Sequence, residues 1–136
     1  MRFGVRPGFI FSIAGLAPAL AVAFAFSLGP SPRKVIDAVE RAHAEPEVAV
    51  QAFRDGPAGI DAVLSERLAQ PDFVYRAEAA QVLGEHRYRP ALRVLRQLMT
   101  DPGCPPDLER AARSAAARFP ESWWTAVLDA DAESLL

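Results

Sequence analysis

This chain has one cysteine, one lysine and two histidines in 136 residues. A lone thiol, Cys104, excludes an internal disulfide and a thiolate zinc site, which needs several cysteines. No glycine-rich phosphate loop is present. No run alternates apolar and polar residues, so strands have no signal. Ser65, Ser114 and Ser122 have no recognisable elbow or partner base, so nucleophilic catalysis has no support. Charge of one sign is also lacking. The formal net charge is −2, which argues against a nucleic-acid partner.

What is present is alanine, leucine, arginine and glutamate, the leading helix formers. Twelve prolines cut the chain into short helices. Between Arg6 and Arg33 there is no charge at all. Residues 8–28 supply about the 20 apolar residues that cross ~30 Å of hydrocarbon. This predicts one transmembrane helix or signal anchor within residues 1–30, in contact with the membrane through residues 8–28. Arg2 and Arg6 favour N-inside topology, with the soluble domain extracytoplasmic. Arg33, Lys34 and Arg41 just after the span pull the other way. A cleaved signal peptide, cut near Ala25 after Ala23-Phe24-Ala25, is the alternative.

From residue 31 to 136 the pattern predicts a helical domain. Ser31 reads as an N-cap before Pro32, with Val35, Ile36 and Val39 on one face. Pro46 starts a second helix and Pro57 a third, with Ile60, Val63, Leu64 and Leu68 inward. Asp72 can cap a helix over 73–85, whose inward face is Phe73, Ala77, Ala80, Leu83 and Gly84. Pro90 starts a helix with Leu92, Leu95 and Leu98 inward. Leu108, Ala111, Ala112, Ala115 and Phe119 line the next. Pro120 starts a capping helix with Trp123 and Trp124, before an acidic tail over 129–133.

Two segments echo each other at a period in the low thirties, the spacing of stacked helical hairpins. Arg76, Ala79, Ala80, Leu83 and Gly84 carry the first copy. Pro90, Ala91, Leu92, Leu95, Leu98, Asp101 and Pro102 lead into Ala111 and Ala112. In these residues the chain resembles the HEAT repeat family, in particular the short bacterial type first described in phycobilisome lyases. The likeness covers roughly 58–119 and extends more faintly over 35–53. It implies an all-α fold, a short α-solenoid of HEAT-like hairpins behind the transmembrane helix. It also implies a structural ladder of turn aspartates, Asp72 or Asp101, with Arg76 and Arg110. The iron-dependent hydroxylases of this class carry a His-Glu pair where this chain has Ala77-Glu78. The other such pair, Glu85-His86, occurs once and in a turn. The expected catalytic, cofactor and metal residues are therefore none.

The surface feature that stands out is an arginine stripe, Arg89, Arg93 and Arg96, at helical spacing. With Trp123 and Trp124 it makes the expected partner-binding set, since tryptophan and arginine anchor interfaces. The expected function is a membrane-anchored protein–protein interaction or assembly scaffold, not an enzyme, with an unidentified protein partner. The alternatives are a lyase- or chaperone-like accessory factor, or an arginine face that binds anionic lipid or an acidic partner.

Overall fold

A computed structural model describes residues 31–134, with side chains through Ala130. Residues 1–30, and with them the expected span over 8–28, lie outside the described residues. All regular structure described is helical. Among the described residues no helix is long and apolar enough to cross a membrane. The chain divides into two compact units, one ending at Ala58 and one beginning at Gly59.

In the first unit, helix α1 spans Pro32–Arg41 and α2 spans Pro46–Arg54. The Ser31 hydroxyl accepts the Lys34 N–H at 3.3 Å, and Pro32 fills the first turn, where a missing N–H costs nothing. Val35, Ile36 and Val39 are buried on α1, and Ala49, Val50 and Phe53 on α2. The two helices pack together.

The second unit contains α3 (Ile60–Leu68), α4 (Arg76–Glu85), a 3₁₀ turn (Arg89–Ala91), α5 (Leu92–Thr100), α6 (Pro106–Ala116) and α7 (Glu121–Ser134). Helix α3 packs on α4, α5 on α6, and α4 joins the pairs by packing on α6. That last contact is very close. A Cβ on Gly84 would lie 2.7 Å from the Ala115 Cα, well inside contact distance. Glycine lets the backbones approach to where only a hydrogen fits. Ala79, Ala80, Leu83, Ala112 and Ala115 are buried in the same unit.

Four boundaries differ from those read in the sequence. Helix α3 starts at Ile60 rather than Pro57, because Gly59 takes a left-handed φ of 90° just before it. Helix α4 starts at Arg76, not Phe73. Phe73 and Tyr75 are both buried, with ring centroids 6.1 Å apart edge to face, and Val74 between them turns out to solvent. Burying two rings outweighs one more helical turn, since each carries a large apolar area. Pro90 lies within the 3₁₀ turn Arg89–Ala91, and the α-helix follows from Leu92. The acidic positions 129–133, expected as a tail, belong to the backbone of α7.

Helices α1 and α4 end in the same cap. His43 N–H donates to the Glu40 carbonyl and Ala44 N–H to Val39, at 3.1 and 3.2 Å. Arg87 N–H donates to Gly84 and Tyr88 N–H to Leu83, at 3.1 and 3.0 Å. His43 and Arg87 have φ of 48° and 50°. This is the paired-bond left-handed cap normally built on glycine, made here with side chains that resist it.

Candidate functional site

Arg89 of the arginine stripe and Trp123 of the tryptophan pair meet at the α5–α7 edge. Pro90 fixes the 3₁₀ turn and Ala91 is buried beneath it, which sets the direction of Arg89. The Arg89 guanidinium lies over the Trp123 ring, 5.2 Å from its centroid. That distance is within cation–π range. Trp123 and Trp124 both rest against buried Phe119, with ring centroids 6.0 and 6.2 Å away.

The two tryptophans are not equivalent. The Trp124 indole N–H donates to the Ala116 carbonyl at 3.1 Å. It thereby adds a second donor to an end carbonyl of α6 that also accepts the Phe119 N–H at 3.2 Å. Trp123 makes no such bond among the described residues. Trp124 is thus tied to the frame, and Trp123 is the half-exposed ring that meets Arg89. Arg93 is exposed and Arg96 half-buried on α5, and both are engaged in interactions within the fold.

The arginines expected in a ladder do other work. The Arg76 Nε–H donates to the Leu68 carbonyl at 2.9 Å and so caps the end of α3. Arg110 pairs with Asp107 one turn back, at 3.0 Å on the exposed surface. Asp101 accepts the Gly103 N–H at 2.9 Å and shapes its own loop. Neither turn aspartate, Asp72 or Asp101, is paired with Arg76 or Arg110. A carbonyl eight residues back captured Arg76, which no spacing rule anticipates.

His86 also has a structural partner. Its Nδ1–H donates to Asp61 Oδ1 at 2.8 Å, tying the end of α4 to the start of α3. Among the described residues no cluster of three His, Cys, Asp or Glu is arranged to hold a metal. Cys104 lies half-buried in the α5–α6 loop with its Sγ 3.6 Å from the Pro105 carbonyl. Burial pushes its thiol pKa up. The Arg76 guanidinium pulls it down, and Asp101 and Glu109 push it up further. A thiol held protonated is a poor nucleophile.

One open groove of about 330 Å³ crosses the α4–α6 surface, lined by Gln81, Ser114, Arg110 and Arg118 among others. Arg110 there is spent on Asp107, and those side chains are 73% and 89% exposed. Solvated groups of this kind bring no chemistry of their own. Comparison of the chain with protein-family models, with curated proteins and with solved structures found no match.

Proposed function

We propose that this chain is a membrane-anchored protein–protein interaction module, a short HEAT-like α-solenoid with no catalytic role. The observation that carries the reading is the convergence of Arg89 on Trp123 at the α5–α7 edge. Residues 34 positions apart in sequence combine there into one half-exposed patch of the composition that anchors interfaces. The solenoid part draws support from the two helix pairs, α3–α4 and α5–α6, joined through α4 and α6. Stacking of this kind buries faces that one hairpin cannot bury alone. The anchor part draws support from the uncharged run over residues 8–28.

The test is a crosslinking pull-down from membranes with the full chain, beside the combined Arg89→Glu, Arg93→Glu and Arg96→Glu variant. A partner captured by the wild type and lost in a variant that stays helical supports the reading. The absence of any reproducible partner sinks it.

A further inference from the structure

We infer that Arg89 and Trp123 form a clamp for a single carboxylate, supplied by a short acidic segment of the partner protein. The inference rests on the interaction-module reading and names the chemistry of its site. An arginine stacked on a ring uses the face of its guanidinium. The edge, with five N–H donors in a fixed fork, stays available. Among the described residues no acceptor takes a hydrogen bond from the Arg89 side chain, and the Trp123 indole N–H is likewise unspent. The adjacent Trp124 N–H is spent on Ala116.

Both groups are held before any ligand arrives. Trp123 leans on buried Phe119 at 6.0 Å, and Arg89 leaves a backbone fixed by Pro90 and buried Ala91. A planar acceptor matches the fork by two parallel hydrogen bonds. Holding the donors in advance lowers the ordering cost of binding.

Charge around the clamp selects the kind of oxyanion carrier. Glu121 lies two residues before Trp123 and Asp129 six residues after it, both exposed on α7. The chain as a whole is net negative. A broad anionic surface, such as a lipid headgroup layer, would meet those acids together with Arg89. A narrow acidic segment reaches the clamp without them, with exposed Arg93 one turn further along.

The experiment uses the full chain in a neutral detergent. The probe is an end-blocked peptide of alternating glutamate and glycine, with the glutamine version as control. Binding is followed by calorimetry in Arg89→Lys, Trp123→Phe and Arg118→Lys variants that keep their circular dichroism. The glutamate peptide is expected to bind and the glutamine peptide not to. Arg89→Lys keeps the charge and loses the fork, and weakens binding about tenfold. Trp123→Phe keeps a ring and loses the N–H, and weakens binding about threefold. Arg118→Lys, in the α4–α6 groove, changes nothing.

Equal weakening by Arg89→Lys and Arg118→Lys, or by neither, overturns the clamp in favour of diffuse attraction. Binding of soluble short-chain phosphatidylglycerol in place of the peptide overturns the protein source. A pull-down partner lost in the triple variant but retained in both Arg89→Lys and Trp123→Phe overturns the clamp alone. That last outcome leaves the interaction module standing.

Discussion

The α4–α6 seam and the α5–α7 edge are built from opposite materials. The seam uses glycine and alanine, with Gly84 against Ala115 and no room for one more carbon. The edge uses large aromatic side chains, Phe119, Trp123 and Trp124, with an arginine on top. Small residues let helices meet backbone to backbone, which leaves no space inside the seam itself. Large residues that are only half-buried keep area and donors in reserve. Stability belongs to the first region and the proposed recognition to the second.

Breaking the seam carries the largest expected effect. Gly84→Ala forces α4 away from α6 and costs about 1–3 kcal/mol, in the manner of an overpacked core. For a domain of this size each kcal/mol lowers the melting temperature by about 4–8 °C, readable by circular dichroism. The clash is with the Ala115 Cα as well as its Cβ. Ala115→Gly therefore fails to rescue it, and recovery in the double variant would refute the backbone contact.

Next comes the structural half of the edge. Trp124→Phe keeps a ring and loses the indole bond to the Ala116 carbonyl, which the Phe119 N–H still reaches at 3.2 Å, at a cost of about 1 kcal/mol. Arg89→Ala removes a solvent-exposed cation–π contact and costs less, about 0.5 kcal/mol. Denaturant midpoints that rank these two the other way would blur the division between frame and recognition surface.

A smaller change runs in the opposite direction. Arg87→Gly relieves a left-handed side chain at the end of α4 and stabilises by about 0.5 kcal/mol after glycine's own entropy is counted. A lower melting temperature in this variant would mean that the arginine side chain has a compensating partner.

The smallest effect concerns Cys104, in the loop that leads from α5 to α6. Its raised pKa favours the neutral thiol, so the associated stability is present below the thiol's ordinary unfolded pKa. It is lost as pH rises through the folded value. Between about pH 8 and 9 iodoacetamide should label native Cys104 more slowly than the urea-unfolded chain. Equal rates would show that burial does not protect it.

Much of this frame was legible because proline and serine announce helix starts. Ser31-Pro32 and Pro46 open the helices expected of them. The spacing of Ala80, Leu83 and Gly84 pointed to a small, close-packed face; Ala77, read with them, is only half-buried, and Ala79 is buried instead. The partner of that face, Ala115, was legible as core but not as the residue opposite Gly84. The caps on α1 and α4 were hidden, because His43 and Arg87 stand where glycine usually signals a left-handed turn. Phe73 and Tyr75 were read inside the helix over 73–85 because periodicity cannot register a pair of rings that bury a turn. Arg89, Trp123 and Trp124 were each picked out by residue type. Their division into a stacked pair and a capping indole depends on tertiary geometry that no local pattern encodes.

The Gly84–Ala115 contact also bears on how the sequence can drift over generations. Most crowded pairs can change together, one side chain shrinking as its neighbour grows. Here the crowding atom belongs to the backbone of α6, which every residue at 115 shares. No partner substitution can open space at position 84. Descendants of this chain keep glycine there or rebuild the helix pair around its replacement.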